Sequence, residues 1–556
     1  MHRGKKIKKR VAFGFGILAG LMLLFFAYLL VVSKTSPPEI KDKSSLDWKR
    51  IESSPGFYVL NNSWLRKSNS GLFELYVEGK PFERGVTNGK LTKELIQLQE
   101  DYFNDQIISM IPSRFYLHFL KYFVGWFNRH LDKHITEEYK AEIYGISYAA
   151  SEKYSYIGSN YQRILNYHAA HDIGHALQNL ALVGCTSFGT WGSRSADGSL
   201  IIGRNFDFYV GDHFSENKIV SFENPLEGFK FMSVTWGGFI GVVSGMNEKG
   251  LTVTINAAKS EIPTGSATPV SLVAREILQY AENISEALAI AKNRKMFVSE
   301  SFLIGSPEDA KAVIIEKTPD SVGMYDPGKN EIICANHFQS RELAALPSNR
   351  IQIRQSASDY RYRRVEELLG ATKKNTVQET VRILRDRKGL ENADIGLGNE
   401  KSINQLIAHH SIVFEPQKKR VWVSTGPWQE GAFVCYDLTK VFALAGMKIN
   451  REIVDSSLPA DPFLQTNQYR HFLKYRSYKK DILEGRNVNI DSLVASNPDF
   501  YQVYQLAGNE LFRKKDFGGA LKYYRLALSK EIATKIEENE IRERVRKCEV
   551  KLKNNP

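Results

Sequence analysis

The sequence predicts an α+β protein of layered sheets covered by helices, with an apolar helix at its N-terminus and a helical extension at its C-terminus. Three observations predict this. Residues 11–32 (VAFGFGILAGLMLLFFAYLLVV) carry no charge. From residue 185 to about 340 the chain breaks into short apolar runs, interrupted by helical stretches, the pattern of sheets covered by helices. Near the C-terminus, Tyr504, Ala507, Gly508, Ala520, Tyr524 and Ala527 fall at the spacing of a tetratricopeptide helix–turn–helix unit.

At 556 residues the chain is too long for one ordinary domain. Its 43% hydrophobic and 25% charged residues are globular proportions and exclude a disordered chain. The net charge of +13 is confined to the ends: residues 1–10, MHRGKKIKKR, carry six positive charges, and residues 465–556 hold 19 Lys/Arg against 12 Asp/Glu. Everything between is neutral overall, so the basicity does not point to a nucleic-acid partner.

Taken in order, residues 1–10 form a basic cytoplasmic tail and residues 11–32 a transmembrane anchor. Such a helix spans roughly 33 Å, enough for a bilayer core. The basic flank stays in the cytoplasm, which sends the remainder to the extracytoplasmic side, periplasmic or extracellular. A cleaved signal would have a shorter apolar region, about 7–15 residues, ending in small residues. Val31-Val32-Ser33-Lys34 is a poor cleavage site, so an uncleaved single-pass anchor is the expectation. Residues 33–55 read as a tether and 56–184 as an N-terminal segment. Within the latter, 71–91 (GLFELYVEGKPFERGVTNGKL) reads as a β-hairpin feeding a helix, and 92–183 as mostly helical.

Residues 185–455 form the core. Strands are expected in LIIGRNFDF, KIVSFEN, FMSVTW, GVVSGMNEKGLTVTINA, FLIGS, KAVIIEKT, EIICANHF and VWVSTGP, and helices in 271–294 and 360–370. Residues 461–556 form the helical tail. One tetratricopeptide-like copy is evident, so it either docks on the main domain or caps the helices of 461–490. A plain helical hairpin fits the same spacing.

Four cysteines occur, Cys185, Cys334, Cys435 and Cys548. Outside the cytoplasm an even count allows two disulfides. If Cys185 is a working thiol, one pair at most remains, and Cys334 with Cys435 is the candidate.

Cys185 heads a strand directly after Gly184. It is core filling, half of a disulfide, or a nucleophile freed when the chain is cut before it. A thiol with a pKa of about 8.5 needs a base near neutral pH. Cutting the Gly184–Cys185 bond would supply one. The new α-amine titrates at about 7.7–8.0 and sits beside its own sulfur. Glycine before the cut permits a backbone twist that a Cβ would resist.

Cys185, GRNFDF (203–208), GMNEKGLTVTINA (245–257), CANHF (334–338) and YRYRRVEELL (360–369) occur in the order found in N-terminal-nucleophile (Ntn) hydrolases of the choloylglycine hydrolase type. Gly184-Cys185-Thr186-Ser187 resembles more closely the branch of autoproteolytic acyl-coenzyme A:6-aminopenicillanate acyltransferases. The likeness covers about residues 70–430. It implies a four-layer αββα sandwich, with cleavage at Gly184–Cys185 and Cys185 as the liberated nucleophile. Asp207 would hold the α-amine, and Arg204 would support thiolate or substrate. Asn256 and Asn336 would form the oxyanion hole. Arg361 matches the family's late arginine, although Arg363 and Arg364 are close enough to shift the register. Amide donors suit an oxyanion because they stabilise it without protonating it.

Plainer readings exist for each part. A lone cysteine before a strand is often a small buried hydrophobe, an asparagine at a strand end is often a turn residue, and an Arg–Asp pair is often structural. Five elements in family order favour catalysis. His168, His171 and His175 share one helix face; packing or helix-end roles are expected for them, and neither a metal nor a cofactor. His337 as the base of a cysteine protease is a weaker alternative.

The implied activity is hydrolysis, or acyl transfer, of linear non-peptide amides through an acyl-Cys185 intermediate. N-acyl amino acids, conjugated bile-acid-like compounds, lipid amides and β-lactam side chains are candidate substrates, and a thioester is a candidate acyl donor. The alternative is an inactive ectodomain whose helical tail binds an envelope protein. The enzyme reading requires residue 185 to reach solvent, to be free of any disulfide, and to lie near Asp207, Arg204 and the two asparagines.

Overall fold

The computed structural model describes residues 2–110, 113–177, 184–259, 265–443 and 453–554. Two large sheets dominate a mixed α/β fold. The 11-stranded sheet begins with four strands of the N-terminal segment, Ile51–Ser54, Phe57–Leu60, Ser63–Lys67 and Phe73–Gly79. It continues from Ile219–Pro225 to Val322–Tyr325. Phe73–Gly79 joins the two parts by running parallel to Ile219–Pro225, with Phe73 opposite Ile219 and Gly79 opposite Pro225. The seven-stranded sheet has the order Glu331–Cys334, Thr186–Thr190, Ile201–Phe206, His410–Glu415, Arg420–Ser424, Phe433–Asp437, Ser456–Leu458.

Alternation of side chains along each strand assigns the faces. Leu303 and Ile314 of the larger sheet meet Ile202, Ile412 and Phe414 of the smaller one in a shared buried cluster. Their neighbours Phe302 and Val313 point the other way, into helices carrying Ile143, Ile164, Val273 and Ile277. On the far side Phe188 and Val413 pack under Val365, Leu369, Val381 and Leu384. Helices therefore cover the outer face of each sheet.

Several expectations are corrected. The tether does not extend to residue 55, because Ile51–Ser54 is an edge strand. Just before it, Lys90 Nζ donates to the carbonyls of Leu46 and Trp48, and Arg50 pairs with Glu94 at 2.6 Å. Residues 71–91 are not a hairpin. Phe73–Gly79 runs into helix Pro81–Leu91, and its antiparallel partner, Ser63–Lys67, lies upstream. The helix expected over 271–294 is two, Val270–Tyr280 and Ile284–Asn293; Asn283 caps the second by accepting from the Glu286 N–H at 3.0 Å. Strands His410–Glu415 and Phe433–Asp437 went unread. The first is buried at every position and the second at all but its last, which erases the alternation that marks a half-exposed strand.

The Cys334–Cys435 pair does not form: all four cysteines are free and buried. Their strands are the first and sixth of the smaller sheet. Five strand spacings amount to about 24 Å, against a disulfide Cα separation of under about 7 Å.

Helix His2–Val32 contains a stretch, Phe13–Val32, long and apolar enough to cross a membrane or to act as a signal sequence, and only 6% buried. At the other end, Tyr501–Arg513, Phe517–Leu528 and Lys535–Asn554 form a helical region with Ala507, Ala520 and Tyr524 fully buried. A Cβ at Gly508 would sit 2.7 Å from the Tyr524 ring, so the crossing requires glycine. The tail docks on the core. Asn497 accepts from the Leu397 N–H (3.1 Å) and donates to the Leu397 carbonyl (2.8 Å). Asn399 donates to the Glu531 carbonyl at 2.9 Å.

Candidate active site

Cys185 immediately precedes strand Thr186–Thr190, which lies between Glu331–Cys334 and Ile201–Phe206. Ser187 faces Arg204 in register on one side and Cys334 on the other. Alternation then sorts the neighbours. Cys185, Ser187, Arg204 and Phe206 fall on the face toward the larger sheet, while Thr186 and Asn205 fall toward the helices.

Arg204 is fully buried. Its Nη2 lies 3.6 Å from Cys185 Sγ and also donates to the Ile255 carbonyl. Its Nη1 donates to the Val243 carbonyl at 2.7 Å and to Ser244 Oγ. The guanidinium stacks 4.4 Å above the Phe206 ring. Behind it, Ser244 contacts His410 Nε2 at 2.9 Å.

Asp207 follows the strand. Its backbone carbonyl accepts from the Gly184 N–H at 3.0 Å, fixing the residues around the expected cut. Its carboxylate is fully buried, and neither oxygen has a hydrogen-bond partner among the described residues. Burial pushes its pKa up to about 7, against the pull of Arg361 and Arg204. Burial likewise pushes the Cys185 thiol up to about 11, which Arg204 only partly offsets.

Asn256 donates to the Cys334 carbonyl at 3.0 Å and accepts from Ser187 Oγ at 2.9 Å. Asn336 donates to the Ala257 carbonyl at 2.9 Å and accepts from Arg361 Nη2 at 2.5 Å. Each amide nitrogen thus spends a hydrogen on a carbonyl and keeps a second one. Arg361 is the arginine that meets the site: Nε donates to Thr186 Oγ1 at 3.1 Å and Nη1 to the Glu400 carbonyl at 2.8 Å. Arg363 is exposed and pairs with Asp359, while Arg364 pairs with Asp386.

Two expectations fail here. Residue 185 does not reach solvent. Cys185 is 1% exposed and belongs to a core cluster with Ile164, Phe206 and Phe239. Gly184, moreover, does not occupy the left-handed φ region. A Cβ there would lie 2.5 Å from Gln405 Nε2 and would displace the end of that side chain.

Gln405 was missed by sequence reasoning. It is 2% exposed, lies in a loop without regular structure, and donates Nε2–H to the Gly184 carbonyl at 2.7 Å. The loop carries no motif, so only proximity reveals it. Ser187 and Ser244 were likewise unread.

His168 is a packing residue: Nδ1 bonds the Ile164 carbonyl at 2.8 Å and Nε2 accepts from the Ile240 N–H at 3.0 Å. The side chains of His171 and His175 lie outside the described residues. His337 contacts Ser358 through Nδ1 at 2.8 Å.

Residues 193–428 match the family model for acyl-coenzyme A:6-aminopenicillanic acid acyl-transferase. The acyltransferase likeness read from the motifs is therefore matched over this stretch. It includes Arg204, Asp207, Asn256, Asn336 and Arg361, and it starts after Gly184 and Cys185. An uncharacterized protein of Archaeoglobus fulgidus is 24% identical over 273 residues, 46% of this chain and 44% of that one. The chain spans about half the length of the curated relatives it matches. Among solved structures, a Caenorhabditis elegans ortholog of N-acylethanolamine-hydrolyzing acid amidase has 17% identity and a TM-score of 0.29, covering 42% of this chain and 93% of its own. A mutant conjugated bile acid hydrolase from Clostridium perfringens has 14% identity and a TM-score of 0.30, covering 46% and 93%.

Proposed function

We propose that this protein is a membrane-anchored Ntn amidohydrolase or acyltransferase. It cuts itself at Gly184–Cys185 and then processes linear, non-peptide amides through an acyl-Cys185 intermediate. The family match over residues 193–428 supports the class. The observation that carries the mechanism is the buried Asp207 carboxylate, without a hydrogen-bond partner among the described residues, beside a thiol 3.6 Å from Arg204. An unsatisfied buried carboxylate is costly, and an α-ammonium created at Cys185 is the partner it lacks.

The seal over Cys185 fits a precursor. A continuous chain keeps the thiol protonated and covered. Asn256 and Asn336 then turn their second N–H groups to the oxyanion of a substrate. A cleft lined by Phe103, Tyr167, Phe208, Phe214, Trp236 and Phe239 adjoins Asp207 through Phe208 and offers an apolar seat for an acyl group. The larger cavity, about 860 Å³, lies between core and tail, lined by Arg385, Pro459, His471 and Asn497 among others; it contains none of the site residues.

Intact-mass measurement of the purified ectodomain tests the reading. Two fragments, with a new N-terminus at Cys185, are expected from the wild type, and one uncut chain from Cys185→Ala. An uncut wild type that hydrolyses amides overturns self-cleavage.

A buried Cys185 also fits the second reading, an inactive fold whose tail binds a protein partner. Absence of amidase activity from a correctly folded, fully cut ectodomain, across N-acyl amino acids and lipid amides, favours that reading.

A further inference from the structure

We propose that Gln405 is the oxyanion donor for cleavage of the Gly184–Cys185 bond. The assignment rests on the self-cleavage reading above and adds a residue to it. Gln405 Nε2 lies 2.7 Å from the Gly184 carbonyl oxygen, the atom on which negative charge develops when that peptide is attacked. The amide is buried, so water does not screen it. It is neutral and its N–H is far too weakly acidic to give up its proton, so it stabilises the oxyanion without protonating it. Asn256 and Asn336 each spend one N–H on the carbonyls of Cys334 and Ala257, whereas Gln405 is already in hydrogen-bond contact with the Gly184 carbonyl.

The surroundings hold this contact. Leu406, the next residue, has a left-handed φ of 55°, a strained conformation for a leucine. The Asn404 side chain accepts from the Leu406 N–H at 3.0 Å and stabilises that turn. Farther back, the same loop is fixed to the tail by Asn497 on Leu397 and to the site by the Glu400 carbonyl on Arg361. Gly184 completes the fit, since any Cβ there would collide with the donor.

The step balances as follows. Cys185 Sγ bonds to the Gly184 carbonyl carbon, and its proton passes to Asp207. The carbonyl π pair moves onto oxygen, where Gln405 donates. The oxygen pair returns, the carbon–nitrogen bond breaks, and the Cys185 nitrogen takes the proton from Asp207. The product is a thioester between Gly184 and Sγ. Water adds to its carbon, the carbon–sulfur bond breaks, and a Gly184 carboxylic acid and the free thiol result.

The experiment follows cleavage by intact mass over time in the full chain, using the wild type, Gln405→Leu and Gln405→Glu. Loss of one oxyanion donor slows such steps by about 10²–10³-fold, and this is expected of Gln405→Leu. Gln405→Glu donates only while protonated, so its cleavage rate relative to wild type rises as pH falls. Gln405→Leu cutting at the wild-type rate overturns the assignment and leaves self-cleavage standing. An uncut wild type overturns both. Should Gln405→Leu fail to fold by near-UV circular dichroism, the pH profile of Gln405→Glu decides, and a pH-independent ratio overturns the assignment.

Discussion

Arg275 Nη2 lies 2.9 Å from Oε2 of Glu142, and the Gly184–Cys185 bond separates the two residues in the chain. Both are fully buried. Arg84 Nη2 meets the same carboxylate at 2.5 Å, and Glu223 lies 3.1 Å from Arg275. Two residues from before the proposed cut and two from after it form one ion network. The pairing of Phe73–Gly79 with Ile219–Pro225 crosses the same boundary.

The two fragments are therefore expected to stay together after cleavage. Size-exclusion chromatography of the cut protein should give one peak containing both, separable only in denaturant. Spontaneous dissociation in native buffer would contradict the shared sheet and ion network.

Glu142→Gln should destabilise the protein by about 3–5 kcal/mol, because it leaves two buried arginines short of charge. Burial alone would raise the Glu142 pKa, but Arg275 and Arg84 outweigh it and hold the carboxyl below its usual range. The stabilisation is then present above the unfolded pKa and lost as pH falls through the lowered folded value. Denaturant titrations of wild type and variant should converge on acidification.

Cleavage should depend on the ionised form of Asp207. With its pKa raised to about 7, the rate rises with pH and levels off above about 7. For stability the sign is opposite. A raised carboxylate pKa favours the fold at low pH and costs stability as pH rises from the unfolded value through the folded one. Asp207→Asn should cut far more slowly and lose the inflection near 7, while gaining stability at high pH. Rate–pH profiles by intact mass and parallel melts check both.

Gly184→Ala should slow maturation through Gln405. Its Cβ, 2.5 Å from Nε2, displaces the donor. Because both changes break one contact, the Gly184→Ala, Gln405→Leu double variant should cut no more slowly than the slower single variant. Additive losses would show that alanine acts by another route.

Asn497→Ala should couple the tail to the site. It removes two hydrogen bonds to Leu397, a loss of about 1–3 kcal/mol, and loosens the loop that bears Gln405. Slower cleavage with unchanged helix content is expected. An unchanged cleavage rate would make the tail contact purely structural.

Much of this architecture was legible along the chain. Runs such as KIVSFEN and KAVIIEKT became Ile219–Pro225 and Lys311–Lys317, because local apolar patterning and turn residues specify strands directly. The order of Cys185, GRNFDF, GMNEKGL and CANHF gathered the same residues that the sheets later bring together. Arg361 could not be told from Arg363 and Arg364, since helix spacing alone leaves three candidates and only packing selects the one against Thr186.

The sequence alone determined the two-part patterning of strands and helices, the uncharged N-terminal stretch, and which residues are candidates for the site at Cys185. Tertiary structure alone decided that Phe73–Gly79 enters the larger sheet, that Cys185 is sealed, and that Gln405 reaches a carbonyl 221 positions away. The reason is range. Patterning acts over a few residues, whereas sealing, charge pairing and close contact arise only when segments distant in the chain are packed together.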